Sequence, residues 1–150
     1  MSTRLRARAK VNLRLRVLGR RPDGYHELST LFDRISLADA IELEPAVRLS
    51  LECDAADIPG GPGNLAWRAA AAALGEARND TRGVAIRLSK GVPAGAGLGG
   101  GSADAAAVLV GTDRLLGLGL GEKTLLVLAR RLGADVPFFV HAHLRDDEPV

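Results

Sequence analysis

The most informative part of the chain is Pro93-Ala94-Gly95-Ala96-Gly97-Leu98-Gly99-Gly100-Gly101-Ser102-Ala103-Asp104-Ala105-Ala106-Ala107. Five glycines within seven residues lead directly into a serine and an alanine-rich run that favours helix. Glycine has no Cβ to hold a ligand away from the backbone, and a helix N-terminus presents unpaired N–H groups at the positive end of its dipole. The stretch therefore predicts a phosphate-binding loop that opens a helix, with Ser102 as the N-cap.

Two common nucleotide-binding motifs do not account for this loop. Gly95, Gly97 and Gly100 fit a G-x-G-x-x-G spacing, but a dinucleotide site also needs a parallel βαβ unit and an acidic residue after the next strand. Glu122 lies about 20 positions after the loop, where such an acidic residue is expected, but it falls in a predicted helix rather than at the end of a strand. A Walker A loop is excluded because no lysine follows the last glycine. A flexible glycine linker is the remaining alternative, and the alternation with Leu and Ala before a capped helix argues against it.

Composition indicates one globular domain that binds a small anion. The chain has 150 residues, is 47% hydrophobic and carries a net charge of +2, yet every charged residue before Asp23 is cationic. With only 3% aromatic residues, this bias fits an anionic small molecule better than a nucleic acid. Cys53 is the single cysteine, and neither a signal peptide nor a membrane-spanning segment is visible, so we expect a cytoplasmic protein without membrane or nucleic-acid partners.

The first segment of the chain alternates strictly between apolar and polar residues, which predicts a long, half-buried strand over residues 5–17. Its polar face would be a solvated row of cationic side chains. The apolar face would hold Leu5, Ala7, Ala9, Val11, Leu13, Leu15 and Val17, and the polar face Arg4, Arg6, Arg8, Lys10, Asn12, Arg14 and Arg16.

Further elements follow from turn residues, helix caps and apolar runs. A turn over residues 19–24 precedes a second extended stretch that ends near Leu43, and strands are predicted over residues 47–53 and 83–90. Asn64 would cap a helix that ends near Ala77, and two more helices would end near Leu116 and at Leu132, the last closed by Gly133. Residues 134–140 form a short buried strand or loop in this interpretation. The order of elements predicts an α+β fold.

Four segments together are similar, in order and spacing, to one known family. They resemble the GHMP superfamily of small-molecule kinases and, within it, the kinases of cytidine-diphosphate-linked methylerythritol. The glycine loop alone resembles the whole superfamily, whereas the Lys-x-Asn and Asp-Gly-Tyr-His segments narrow the resemblance to that one group of kinases. The resemblance extends from about Ala7 to Val140 and implies a ribosomal protein S5 domain 2-like fold, with a mixed or antiparallel sheet packed against helices. The segments are Ala9-Lys10-Val11-Asn12-Leu13, Arg21-Pro22-Asp23-Gly24-Tyr25-His26-Glu27-Leu28, the glycine loop and Gly133-Ala134-Asp135-Val136-Pro137-Phe138-Phe139.

This resemblance implies transfer of the γ-phosphoryl group of ATP to the 2-hydroxyl of the cytidine-diphosphate-linked polyol, in the non-mevalonate route to isoprenoids. It also implies that Lys10 and Asp135 are the catalytic pair. The residue types suit these roles, because a carboxylate held against apolar residues can accept the hydroxyl proton and a cation can stabilise the transferring charge. On the residues alone, Asp135 is also explained as a turn aspartate and Lys10 as part of a solvated strand face.

The nucleotide would lie against the glycine loop, and Mg²⁺ would arrive with ATP rather than on a dedicated site. His141 and His143 lack a third ligand, so no metal site is assigned. Asn64 would contact the adenine or cap its helix, and capping is the surer role. The expected nucleotide-binding residues are Pro93, Ala94, Gly95, Ala96, Gly97, Leu98, Gly99, Gly100, Gly101, Ser102, Ala103 and Asn64.

Substrate recognition is expected at Asn12, Tyr25 and His26. An aromatic ring and an imidazole directly after a tight turn can hold a pyrimidine base by stacking and by hydrogen bonds to its edge. An exposed loop pair without a ligand is the alternative for Tyr25 and His26, and a polar strand position is the alternative for Asn12.

Beyond Val140 the chain departs from the family pattern. We expect residues 1–150 to be one ATP-binding N-terminal domain, truncated near residue 140, with the second domain of the family absent. Two function classes follow. The chain is either the catalytic portion of a small-molecule kinase, with another GHMP substrate as the nearer alternative, or an inactive remnant that binds nucleotide.

Overall fold

The computed structural model describes residues 1–77 and 81–146, which form one mixed sheet and four helices. Along the chain the elements come in the order strand, strand, strand, helix, strand and three helices. They are β1 (Thr3–Arg20), β2 (His26–Ala46), β3 (Ser50–Cys53), α1 (Leu65–Glu76), β4 (Gly83–Ser89), α2 (Gly100–Leu116), α3 (Gly121–Leu132) and α4 (Val136–Arg145).

The strand order across the described sheet is β1-β2-β4-β3. β1 pairs antiparallel with β2 and β2 antiparallel with β4, whereas β3 runs parallel to β4. The predicted α+β class and mixed sheet are therefore confirmed. None of the helices in the described part of the chain has the length and apolarity needed to span a bilayer.

Helix α2 is the centre of the core. It contacts β1 and β2 on one side and all three other helices on the other, and its residues 103–112 are buried. Gly111 permits the closest approach, because a Cβ there would lie 2.5 Å from Leu5 Cδ1 and 2.6 Å from Leu43 Cδ1. The sheet thus fixes the position of α2, and α2 in turn fixes the glycine loop that precedes it.

The predicted alternation of β1 holds only in its first half. Ala7 and Ala9 are buried under the helices, but Leu13, Leu15 and Val17 are 61%, 56% and 62% exposed. Beyond Lys10, β1 pairs only with the first half of β2, so the two strands leave the sheet as a two-stranded ribbon (residues 11–20 and 26–34). The prediction of a half-buried strand through Val17 is wrong there, because α4 contacts the base of the ribbon, where Phe138 packs on Phe32, and leaves Leu13, Leu15 and Val17 exposed in the described structure.

Residues 136–140 are helical, which corrects the strand or loop predicted over residues 134–140. Helix α4 begins at Val136 with Asp135 as its N-cap, and Pro137 occupies the first turn, where its missing N–H breaks no hydrogen bond. Val136, Phe139 and Val140 are buried at helical spacing. The apolar run Val136-Pro137-Phe138-Phe139-Val140 is too short for its periodicity to separate strand from helix. The last four residues of the divergent tail lie outside the described residues.

Candidate active site

The glycine loop enters α2 with its backbone turned toward the solvent. Gly95, Gly97 and Gly99 have φ angles of 72°, 73° and 69°, values that favour glycine over any residue with a side chain. Gly99 is the N-cap, and Ala103 N donates to Gly99 O at 2.8 Å. The predicted N-cap role of Ser102 is wrong, because the N-cap lies three residues earlier, at Gly99, and the helix begins at Gly100. The first-turn N–H groups, including that of Ser102, have no intrahelical acceptor and suit an anion.

A cleft of ≈ 560 Å³ lies in front of this loop. One wall is the glycine loop, and the other is the segment that leads into α1. Lys10 and Asp135 lie at the cleft as well, so the predicted catalytic and nucleotide-binding residues line one space, with the exception of Ala103, which is fully buried in α2. The lining residues are Lys10, Ile58, Pro59, Gly63, Asn64, Leu65, Lys90, Val92, Pro93, Ala94, Gly95, Ala96, Gly97, Leu98, Gly99, Gly100, Gly101, Ser102, Asp104 and Asp135.

The glycine loop packs directly onto the lysine of β1. Lys10 N donates to Leu98 O at 2.9 Å, which joins the backbone of β1 to the end of the loop. A Cβ on Gly99 would lie 3.0 Å from Phe139 Cζ and 3.2 Å from Lys10 Cε. Gly99 is therefore required both for its positive φ and for the close approach of Lys10.

Lys10 is buried, with 5% of its surface exposed, and does not lie in the solvated arginine row predicted for it. The pairing of β1 and β2 shifts register between Arg8 and Lys10, where two steps along β1 lie opposite four along β2. Lys10 Nζ donates to Asn12 Oδ1 at 2.5 Å and lies 4.5 Å from the centre of the Phe32 ring. These contacts hold the ammonium at the cleft.

Asp135 completes a pair with this lysine. Its Oδ2 lies 3.9 Å from Lys10 Nζ. The Asp135 side chain makes no capping hydrogen bond to α4 and is 36% exposed, unlike the nearly enclosed Lys10. A carboxylate that is not used for capping, next to a fixed ammonium and open to the cleft, can accept a proton from a bound hydroxyl.

Asn64 is the N-cap of α1, as expected. Its Oδ1 accepts from Ala66 N at 2.9 Å, and its Nδ2 donates to Pro59 O at 2.9 Å. Both ends of the amide thus stabilise the wall of the cleft. Contact with an adenine remains a prediction.

The structure places the three expected substrate-binding residues in two regions. Asn12 contacts Lys10 at the cleft. Tyr25 and His26 lie at the tip of the ribbon, where Tyr25 is 74% exposed and His26 pairs with Arg20. Because Arg20 comes ten residues after Lys10, the tip lies roughly 30 Å along the strand from Lys10. The structure does not bring Tyr25 and His26 to Lys10 and Asp135.

A second charged cluster at the base of the cleft was not anticipated from the sequence. Lys90 Nζ donates to Asp39 Oδ2 at 2.5 Å and to Asp104 Oδ2 at 2.8 Å. Asp39 Oδ1 also accepts from Gly91 N at 2.6 Å and from Val92 N at 2.8 Å. We call Asp39, Lys90 and Asp104 the loop clamp.

Burial and the hydrogen bonds within the loop clamp shift the pKa values of Asp104 and Lys90. It raises the pKa of Asp104 to about 8, although the hydrogen bond and charge of Lys90 oppose the rise. For Lys90, burial lowers the pKa, but its hydrogen bonds to Asp104 and Asp39 outweigh that effect and the net pKa is raised. Among the described residues, Asp104 Oδ1 is buried without a hydrogen-bond partner.

The sequence contains one signal for this cluster. Asp104 interrupts an alanine run, Ala103 to Ala107, whose residues are all buried in α2, and a carboxylate within such a run is expected to have a cationic partner. Its partner Lys90 comes 14 positions earlier in the chain, and Asp39 comes 51 positions before Lys90. Only the folded sheet brings them together.

Comparison with known proteins gives a consistent family relationship. Residues 64–143 match the family described as GHMP kinases N terminal domain. Proteins named 4-diphosphocytidyl-2-C-methyl-D-erythritol kinase are 52% identical to the chain over 140 residues in Geobacter sulfurreducens and 52% identical over 144 residues in Desulfotalea psychrophila. These alignments cover 91% and 93% of this chain but 49% and 48% of the relatives. The chain thus spans about half the length of the curated relatives it matches.

Solved structures agree with this result. A crystal structure of 4-(cytidine 5'-diphospho)-2C-methyl-D-erythritol kinase matches with a TM-score of 0.79 and 48% identity, covering 93% of this chain and 49% of that one. The crystal structure of a mevalonate kinase matches with a TM-score of 0.64 at 15% identity, over 88% of this chain and 46% of that one, which supports the fold alone.

Proposed function

The chain belongs to the GHMP kinase family, and from that premise we propose that it forms the ATP-binding and catalytic half of a 4-diphosphocytidyl-2-C-methyl-D-erythritol kinase. The reaction would transfer the γ-phosphoryl group of ATP to the 2-hydroxyl of the cytidine-diphosphate-linked polyol. The observation that carries this proposal is the Lys10–Asp135 pair, which lies beside the glycine loop in one cleft.

ATP would bind with its phosphates at the start of α2. Residues 97–102 line the cleft, and the N–H groups without an intrahelical acceptor at the positive end of the α2 dipole would suit a polyphosphate there. Mg²⁺ would bind as the complex with ATP, because it retains water ligands and is commonly held by substrate phosphates. Bound in this way, it would neutralise charge on the β- and γ-phosphates.

The catalytic step needs a proton acceptor and a fixed cation. Asp135 would accept the proton of the 2-hydroxyl while that oxygen forms a bond to the γ-phosphorus and the bond from the γ-phosphorus to the β-phosphate oxygen breaks, releasing ADP. Lys10, held by Asn12 and the Phe32 ring, would stabilise the charge on the nucleophile and on the transferring group.

Recognition of the cytosine would fall to Tyr25 and His26 at the ribbon tip. For these residues to contact a substrate whose hydroxyl lies at Asp135, the ribbon must bend back toward the cleft. Its pairing contains register shifts between Asn12 and Arg14 and between Val17 and Gly19, and such irregularities bend a strand. Asn12, at the base of the ribbon, would contact the polyol.

The proposal is tested with a chimera in which residues 1–140 of this chain replace the matching half of the Geobacter sulfurreducens relative. We expect ADP formation that depends on 4-diphosphocytidyl-2-C-methyl-D-erythritol. Asp135→Asn and Lys10→Met should each lower turnover by on the order of a hundredfold or more, with little change in ATP affinity. Near-normal turnover in either variant would contradict the assigned roles, and a preference for mevalonate or homoserine would contradict the assigned substrate.

A further inference from the structure

The loop clamp connects the two ends of the glycine loop from below. At the first end, Asp39 on β2 binds the N–H groups of Gly91 and Val92, the two residues before Pro93. At the second end, α2 begins at Gly100 and carries Asp104 in its second turn. Lys90 Nζ binds both carboxylates, so a single ammonium bridges the ends.

The residues between these two ends have few other supports. Residues 93–97 are exposed, and the remaining backbone tie in the described structure is the bond from Lys10 N to Leu98 O, close to the second end. The entry side of the loop is fixed by Asp39 and by the close packing of Gly91, where a Cβ would lie 2.6 Å from Ala38 O. The Lys90–Asp104 contact is therefore a direct side-chain link between the entry and the exit of the loop.

Stability of the fold does not explain this arrangement. Two buried carboxylates share one ammonium, and Asp104 Oδ1 has no hydrogen-bond partner among the described residues. Burying charge carries a desolvation penalty that an ion pair often only balances, and an unpartnered buried oxygen adds to it. An alanine at position 104 would suit the alanine-rich helix as well or better.

We propose that Asp104, through Lys90 and Asp39, positions the glycine loop so that its N–H groups converge on the phosphates of a nucleotide. This inference rests on the proposed function, because it assigns a positioning role within the same ATP site. Asp104 acts through Lys90 and is not assigned a contact with the nucleotide. A shift of about 1 Å in a binding group is enough to weaken recognition strongly, which makes the separation of the loop ends a sensitive quantity.

Positioning and simple electrostatics predict opposite results for one substitution. Asp104→Ala removes from beside an anion site a carboxyl group that is negative only above its raised pKa, so electrostatics alone predicts equal or tighter binding of ATP. Loss of the bridge predicts weaker binding instead. Lys90 keeps Asp39 as its partner in this variant, so no unpaired buried charge remains and the chain is expected to fold.

The experiment measures dissociation constants of the chain for ATP and for inorganic tripolyphosphate by calorimetry, with thermal unfolding in parallel. We expect Asp104→Ala to weaken both ligands by about tenfold or more without a lower melting temperature. Asp104→Asn keeps an acceptor for Lys90 and should stay within about threefold of the unmodified chain. The matched control is Asp113→Ala on the same helix, which removes a hydrogen bond to Leu120 N far from the loop and should leave affinity unchanged.

Equal or tighter binding by Asp104→Ala would overturn the positioning role, and so would an equal loss in Asp104→Asn, because charge rather than the bridge would then matter. A melting temperature that falls in step with the affinity would assign Asp104 to the fold instead. An unmodified chain that binds neither ligand would contradict the proposed function itself.

Discussion

Gly99 is the residue at which the glycine loop, the proposed phosphate site, comes into contact with Lys10. Its φ of +69° disfavours any side chain, and a Cβ would press on Phe139 and Lys10. We predict that Gly99→Val abolishes measurable ATP binding, because the loop must shift away from both neighbours. Calorimetry with ATP checks this result.

The control for this prediction is Gly19→Val. Gly19 lies in the ribbon and has no positive φ. A Cβ at this position would have no other atom within 4 Å, so valine fits there. This variant should bind ATP like the unmodified chain. If Gly99→Val folds and binds ATP with unchanged affinity, the nucleotide does not occupy the glycine loop.

Asp104 makes the stability of the chain depend on pH. Its pKa is about 8 in the folded state against 3.8 ordinarily, so between pH 4 and 8 the folded chain holds a proton that the unfolded chain has released. Stability contributed by this group is complete below pH 4 and is lost as the pH rises toward 8. The slope approaches at most about 1.4 kcal/mol per pH unit. Urea unfolding from pH 5 to 8 should show this decline, and Asp104→Asn should lack it; parallel curves for both proteins would contradict the shift.

At the scale of elements, the ribbon is the part of β1 and β2 that contributes least to the core. Leu15 and Val17 are more than half exposed, whereas Leu43 on the same sheet is fully buried. We predict that Leu15→Thr and Val17→Thr change the free energy of unfolding by less than about 0.5 kcal/mol, while Leu43→Ala lowers it by about 2–5 kcal/mol. Chemical denaturation measures all three. A large loss in either threonine variant would mean that the ribbon packs against the domain.

Local sequence signals predicted most elements well. The glycine loop, the Asn64 cap and the C-terminal ends of α2 and α3 depend on residues that are neighbours in the chain. Their chemistry is therefore visible in the sequence. The helix α4 was missed because Pro137 was not taken as a first-turn residue. Asp135 is the N-cap of this helix, but its side chain makes no capping hydrogen bond.

Long-range features were beyond the sequence pattern. Strict alternation assigns Lys10 to the arginine face, and its burial comes from Phe32, Asp135 and the glycine loop, which other parts of the chain supply. The exposure of Leu13 depends on where β4 stops pairing with β2, which no property of β1 encodes. The loop clamp likewise joins three separate elements. Lys10 and Asp135 were named by family resemblance, and the structure adds their distance.

At the scale of the whole molecule, the cleft and the ribbon tip are separate regions that substrate recognition must combine. In the chimera described above, we predict that Tyr25→Ala and His26→Ala lower the preference for the cytidylylated polyol over the same polyol phosphate, since each stacking contact contributes roughly 1–3 kcal/mol. ATP affinity should be unchanged, because the glycine loop is remote from the tip. The ratio of kcat/KM values for the two substrates measures the effect.

An unchanged ratio in both variants would remove Tyr25 and His26 from base recognition. Asn12→Ala serves as the comparison, because Asn12 contacts Lys10 at the cleft and its loss should lower turnover of both substrates alike. A selective effect of Asn12→Ala on the cytidylylated substrate would place the base near the cleft instead.

The position of β1 in the sheet has a consequence for solubility. As an outer strand of 18 residues it offers backbone groups and exposed leucines to a second copy of the chain, the arrangement from which edge-to-edge aggregation starts. Arg14, Arg16 and Arg20 recur along its exposed half, so two such edges repel one another as they approach. Raising the salt concentration from 0.15 M to 1 M shortens the screening length from about 8 Å to about 3 Å and removes much of that repulsion. Concentrated salt should therefore drive this protein to self-associate. At lower salt, repulsion between the arginines of β1 keeps two copies of the chain apart.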